Sequence, residues 1–150
     1  MGHTYTALHF HIVFSTKNRV PSIAPDIQTR LHEYIGGIVR GENGILIAIG
    51  GMPDHTHLLA TLHPTDSVAD AIRRVKGNSS KWMHEDLPGM QDFAWQTGYG
   101  AFSVSRSNLA EVEAYINNQQ VHHARLSFEE EFLAFLQRHG IQYDKRYVLG

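Results

Sequence analysis

The 150-residue sequence lacks several features that would restrict its class. It contains no cysteine, which excludes disulfides and thiolate metal sites and is compatible with a reducing cytoplasm. It has no apolar run of roughly eighteen residues, so we expect no membrane span. Residues 1–5 lack the basic and apolar regions of a signal peptide. We therefore expect a cytoplasmic protein in which nitrogen and oxygen atoms hold any bound metal.

An excess of positive charge is also missing. Thirteen Lys and Arg residues stand against fifteen Asp and Glu residues, giving a formal charge of −2 and a pI near 6.6. A general polyanion binder is usually basic. The cations are nevertheless grouped, which makes them candidate nucleic-acid contacts, although solvated surfaces explain such groups equally well. The candidates are Lys17, Arg19, Arg73, Arg74, Lys76 and Lys81.

The periodicity of apolar residues predicts one α+β domain spanning residues 1–150. Alternation predicts strands, and apolar stripes at helical spacing predict helices after Pro25 and after Ser67. Glycines 50 and 51 and the following Met-Pro are read as a turn, and Ser107-Asn108 as a helix cap. In chain order we predict strand 8–15, helix 25–39, strands 45–49 and 54–62, helix 68–82, strand 101–105, and helices 108–124 and 128–138.

The order β-α-β-β-α-β followed by two helices predicts a ferredoxin-like (RRM-like) antiparallel sheet. Its C-terminal extension is a tyrosine-bearing helix and a helical tail. In this topology the first and third strands are central and two helices cover one sheet face. Alternation then places Phe10 and Phe102 on the covered face. Four histidines share the opposite face: His9, His11, His55 and His57.

The pair His55 and His57 is the first candidate metal site. Two imidazoles spaced by one residue project from the same face of a strand and can share one ion. Ordinary half-buried strand residues show the same spacing. Asp54 either accepts a hydrogen bond from a ligating imidazole or is simply a turn residue.

The third predicted helix carries a candidate nucleophile. Tyr115, Gln119 and His122 fall on one flank, where a tyrosine is often only a packed amphipathic residue. Alternatively the phenol oxygen attacks phosphorus, with Gln119 one turn along as a metal ligand. Two imidazoles and an amide are neutral, so this ligand set suits an anionic phosphodiester and Mg²⁺ or Mn²⁺, although imidazole also accepts Zn²⁺ or Ni²⁺.

Four ordered motifs resemble the single-tyrosine transposases of the HUH superfamily, the insertion-sequence-200-like enzymes and their REP-associated relatives. The motifs are residues 11–19, 54–58, 95–105 and 115–123, and the resemblance extends from about Tyr5 to Gly140. It departs from the family at Thr56, where a bulky hydrophobic residue is expected.

This resemblance implies a metal-dependent transposase that acts on single-stranded DNA with hairpins near the element ends. A tyrosine cuts the strand and keeps the 5′ end as a phosphotyrosine. Carried over by motif, His55 and His57 are metal ligands, Tyr115 is the nucleophile and Gln119 is the third ligand, with His122 as an alternative. The family further implies a homodimer in which the histidines of one subunit work with the tyrosine helix of the other.

Two other functions remain open from the residues. A non-catalytic domain could bind single-stranded DNA or RNA through aromatic side chains such as Trp95 and Tyr99. A metal-dependent nuclease could use water in place of Tyr115.

Overall fold

The structure is a computed structural model that describes residues 2–150, and within this range strands and helices alternate before a helical C-terminal part. The strands are β1 (His9–Ser15), β2 (Ile45–Met52), β3 (His55–Thr61) and β4 (Gly100–Ser103). The helices are α1 (Pro25–Gly41), α2 (Val68–Asp86), α3 (Leu109–Asn117), α4 (Gln119–His123) and α5 (Phe128–Arg138). No helix in the described range is long and apolar enough to cross a membrane.

The four strands form one antiparallel sheet in the order β2-β3-β1-β4. This order confirms the ferredoxin-like prediction, including the central position of β1 and β3. In the register of the central pair, Val13 lies opposite His57 and Ile12 lies opposite Leu58. Because directly opposed residues share a face, the histidines of both strands lie on one side of the sheet, as predicted.

Each face of the sheet has its own apolar cluster. The main core lies between the sheet and helices α1 and α2, where Phe14, Leu31, Ile35 and Leu58 are almost fully buried. On the histidine face, Val13 packs against α5. Phe102 was expected on the covered face with α1 and α2, and this was wrong: it lies opposite His11 and packs against α5.

Helix α5 begins with a complete capping box. The Ser127 side chain accepts a hydrogen bond from the backbone of Glu130, whose side chain in turn accepts one from the backbone of Ser127. Its apolar stripe is then buried on the histidine face: Phe128, Phe132, Phe135 and Leu136. The tail therefore covers the surface that the ferredoxin-like topology alone would leave open.

Several boundaries differ from the sequence prediction, including those of β2 and of the tyrosine-bearing helix. Strand β2 runs through Gly50 and Gly51 to Met52 and does not end at a glycine turn. Glycine is required at position 50 because α3 crosses so closely that a Cβ there would collide with the carbonyl oxygen of Ile116. The predicted helix 108–124 is broken at Asn118 (φ −109°, ψ 28°) into α3 and α4. It is also entered through the 3₁₀ turn Arg106–Asn108, and the Asn108 side chain forms no capping hydrogen bond.

Candidate active site

Both histidines of the predicted pair are buried and oriented by a neighbouring side chain. His55 Nδ1 donates to Asp54 Oδ1 over 2.7 Å. His57 Nδ1 shares a hydrogen bond of 2.8 Å with His11 Nε2, with the proton on either nitrogen. Each imidazole is thus held through Nδ1 and presents Nε2 to the space between the sheet and the tail. This is the arrangement by which outer groups fix a ligating imidazole.

The sequence did not predict the group that these Nε2 atoms face. Glu131, from the first turn of α5, is 1% exposed. Its Oε1 lies 2.8 Å from His57 Nε2, 3.2 Å from His123 Nε2 and 3.5 Å from His55 Nε2. Its Oε2 accepts a hydrogen bond from the hydroxyl of Tyr115. One buried carboxylate therefore joins the histidines to the candidate nucleophile.

The helical part of the site forms around the break at Asn118. Gln119 is buried, and its Oε1 lies 3.1 Å from both His55 Nε2 and His123 Nε2. His122, the predicted alternative ligand, instead stacks on the ring of Tyr115 at 4.3 Å between centroids. Its neighbour His123 takes the place beside the pair, because the break changes which residues of 119–123 face the sheet.

Burial and hydrogen bonding set the charges. Burial lowers the pKa of His57 and, together with Glu131, raises that of Tyr115, so both groups are neutral at pH 7. Burial opposes charge on Glu131, but hydrogen bonds from His123 and His57 outweigh it and lower its pKa. Glu131 is therefore an ionised carboxylate that raises the pKa of His123 against the effect of burial.

This cluster fits a divalent metal ion. One ligand atom each from His55, His57, His123 and Glu131 can be chosen so that all lie within 4.8 Å of one another. Imidazole nitrogen with carboxylate oxygen is a common ligand set for Zn²⁺, Mn²⁺ and related ions. Gln119 Oε1 adjoins the same cluster. Unlike the neutral set considered from sequence, this one brings a negative charge. Without a metal the carboxylate accepts a hydrogen bond from His57 Nε2, and a metal ion bound there would displace that proton.

One sequence signal for Glu131 exists in retrospect. It lies three residues after Phe128, in the stripe that continues with Phe132 and Phe135, so an acid occupies an apolar position. This signal was easily overlooked because Glu129 and Glu130 precede it. Acidic residues in the first turn of a helix are ordinarily explained by their favourable interaction with the helix dipole. His11 could have been found by its spacing from His9, which is the same as that between the candidate ligands His55 and His57.

The predicted cationic contacts do not converge on Tyr115. Arg73 pairs with Asp70 and Arg74 with Asp66, both on α2, across the sheet from the histidines. The half-buried Lys76 ammonium donates to the carbonyls of Gln96 and Gly98. Three further candidates differ in exposure: Lys17 and Lys81 are exposed, and Arg19 donates to the carbonyl of Leu149.

Comparison with known proteins gives consistent matches. Residues 4–119 match the model of a family described as "Transposase IS200 like". The ISDra2 transposase TnpA of Deinococcus radiodurans is 27% identical over 124 residues, covering 79% of this chain and 87% of the relative. The transposase for insertion sequence element IS200 of Salmonella typhimurium is 25% identical over 125 residues, covering 79% of this chain and 81% of the relative.

Two solved structures have a similar fold. A crystal structure of a candidate transposase from Deinococcus radiodurans superposes with a TM-score of 0.63 at 27% identity, covering 79% of this chain and 96% of the other. The structure of a REP-associated tyrosine transposase bound to a REP hairpin gives 0.62 at 17% identity, covering 82% of this chain and 73% of the other. The second likeness concerns the fold alone.

Proposed function

The chain belongs to the family of IS200-like transposases, and from this premise we propose that it cuts and rejoins single-stranded DNA through Tyr115. Residues 1–150 would act as one domain in this reaction. The observation that carries the proposal is the contact of one phenol with a buried carboxylate that itself contacts three imidazoles. A packed structural tyrosine needs no such surroundings, whereas a nucleophile does.

The proposed reaction balances without a nucleotide cofactor. The Tyr115 oxygen forms a bond to phosphorus while the bond from phosphorus to the 3′ oxygen breaks, leaving a 5′-phosphotyrosine and a free 3′ hydroxyl. The phenol proton must leave Tyr115 and the departing 3′ oxygen must gain one. Since the phenol already donates to Glu131 Oε2, this carboxylate is the group placed to accept the proton. Because the pKa of Tyr115 is raised and that of Glu131 is lowered, the transfer must accompany bond formation to phosphorus and not precede it. Attack by the 3′ hydroxyl on the phosphotyrosine reverses these steps and rejoins strands.

Metal binding is assigned to His55 and His57 with Glu131, and the adjoining His123 or Gln119 completes the set. A divalent ion held there, Mg²⁺ or Mn²⁺ by the family resemblance, would act as a Lewis acid toward the scissile phosphate. Asp54 and His11 keep the two imidazoles turned so that each Nε2 faces the ligand space.

The proposed substrate is single-stranded DNA with a hairpin, since a fold relative has a REP hairpin bound. Lys17 and Arg19, just past the end of β1, are proposed to contact the DNA backbone. The cations of α2 would contact only DNA that extends to the opposite face of the sheet from the histidines.

A homodimer also stays a proposal. Tyr115 and the histidine pair already meet within one chain, so exchange of α3 between subunits is not required to build a site.

The direct test is incubation of the protein with hairpin-bearing single-stranded DNA and Mn²⁺, followed by a denaturing gel. We expect a covalent protein–DNA band that maps to Tyr115 and is absent without metal. A nuclease that uses water would cleave without the band, and a binding module would leave the DNA intact.

A further inference from the structure

A second concave surface adjoins the candidate nucleophile outside the metal cluster. This cavity has a volume of about 530 Å³ and shares Tyr115 with the active site. Its floor is formed by the buried His11, Phe102 and Phe135. Exposed polar side chains surround the opening: Ser103, Asn108, Glu111, Arg138 and His139. Except for Tyr115 and His11, the proposed reaction uses none of these residues.

The cavity has a buried aromatic floor, and the exposed His139 ring and Arg138 guanidinium lie at its edge. Phe102 stacks with Phe135 and with His139, at 5.5 Å and 4.5 Å between ring centroids. The Arg138 guanidinium lies 5.6 Å from the centre of the Phe135 ring. Aromatic rings and arginine planes are the groups on which proteins stack unpaired bases. The hydroxyl of Ser103 and the amide of Asn108 can hydrogen-bond a base edge.

The position of the cavity identifies its occupant. If Tyr115 attacks a phosphodiester, the strand must continue on both sides of that phosphate, and a nucleotide directly beside it lies within reach of the cavity wall. We propose that the cavity binds the base of one nucleotide flanking the scissile phosphate. This inference rests on the proposed function, and it adds a contact by which the protein itself reads or holds the cut site.

Two substitutions fill the cavity from different sides, and a third is their control. Asn108→Trp places a large ring at the opening without loss of a cap, because the Asn108 side chain makes no capping hydrogen bond. Ser103→Trp places the same ring at the opening from β4, and it tests the inference if Asn108→Trp does not fold. Ser107→Trp adds the same ring one residue from Asn108, at an exposed position that does not line the cavity.

The probe is a fluorescein-labelled DNA hairpin with a single-stranded flank of about ten nucleotides, in which one abasic site is moved along the flank. Fluorescence anisotropy gives Kd for each position without any need for cleavage. For the wild type and Ser107→Trp we expect about ten-fold weaker binding when the abasic site occupies one position. The cavity-filling variants should bind the intact flank about ten-fold more weakly, and their Kd should not depend on the position of the abasic site.

Several outcomes would overturn the inference. One is a wild-type Kd that does not depend on the position of the abasic site. Another is a folded Asn108→Trp variant whose Kd depends on that position as in the wild type. A third is a cut that maps away from the position at which the abasic site weakens binding. A wild-type dimer that Asn108→Trp converts to a monomer would assign the cavity to a second copy. Covalent adduct formation is scored separately, so a sensitive position without an adduct would refute the tyrosine chemistry and leave a base-binding cavity.

Discussion

Replacing Glu131 by glutamine tests whether the tail helix supplies a metal ligand. The substitution preserves the shape of the side chain and removes its negative charge, the only one among the clustered ligand atoms. Loss of an outer group that merely orients a ligand typically weakens metal binding 10- to 100-fold. Loss of a charged ligand should therefore weaken it at least about 100-fold, or about 2.7 kcal/mol. Gln119→Ala should cost less, because a neutral amide is removed.

The assay is a Mn²⁺ titration of the purified protein, with free ion followed by electron paramagnetic resonance. Glu129→Gln is the matched control, since it removes the same charge from the same helix at an exposed position. Because Glu131 accepts hydrogen bonds from Tyr115 and His57, the metal-free variant should also lose about 3 kcal/mol of unfolding free energy. Circular dichroism must show that it remains folded at the titration temperature.

Two results would refute this reasoning. One is a Mn²⁺ affinity of Glu131→Gln within about three-fold of the wild-type value. The other is a larger loss for Gln119→Ala than for Glu131→Gln, which would restore the ligand set implied by the family resemblance.

Four further changes probe other parts of the site. Tyr115→Phe should abolish the covalent adduct and lower the unfolding free energy by about 1.5–3 kcal/mol, because a hydrogen bond to a charged group is lost; residual adduct on a denaturing gel would exclude it as the nucleophile. His11→Leu should weaken Mn²⁺ binding about ten-fold while His11→Gln restores most of it, and equal affinities would leave His11 with no positioning role. Mixing His57→Ala and Tyr115→Phe chains should give no adduct if each site is built within one chain, whereas rescue would show exchange between subunits. Burial lowers the pKa of His32 to about 4, so below pH 6.5 the unfolded chain binds a proton that the folded chain does not bind. His32 should therefore lower the unfolding free energy from pH 6.5 toward 4, by about 2 kcal/mol at pH 5; urea titrations with EDTA should show a loss smaller by that amount in His32→Gln, and the remainder comes from His11 and His57, whose pKa values burial also lowers.

Strand periodicity was enough to predict where the histidines lie. A side-chain period of two places His55 and His57 on one face whatever the tertiary context, and the chain order of the strands makes β1 and β3 neighbours. The prediction of an antiparallel ferredoxin-like sheet needed nothing more. The prediction for Phe102 failed because both faces of the sheet are covered, so an apolar residue in β4 does not reveal which face it occupies; Phe102 packs against α5 and not against α1 and α2.

Helix periodicity was less informative about the site. The stripe of α5 predicts that one side of the helix is buried, but it does not identify the surface that buries it. No proline or glycine marks the break at Asn118, so the sequence predicted one continuous helix. On such a helix, spacing alone does not decide whether His122 or His123 faces the histidine pair. Both members that the sequence missed, His123 and Glu131, depend on these tertiary features.

The placement of Glu131 depends on the phenylalanines around it more than on ionic attraction. Moving a carboxylate out of water costs several kcal/mol, which an ion pair repays only with favourable geometry and further hydrogen bonds. Full burial of Phe128, Phe132 and Phe135 contributes roughly 1.5–3 kcal/mol each, enough to offset that cost. The sheet then supplies the imidazole partners that keep the carboxylate charged. Apolar packing of the tail and the proposed chemistry at Tyr115 are therefore coupled: the helix that covers the histidine face also carries the group that joins the proposed metal ligands to the proposed nucleophile.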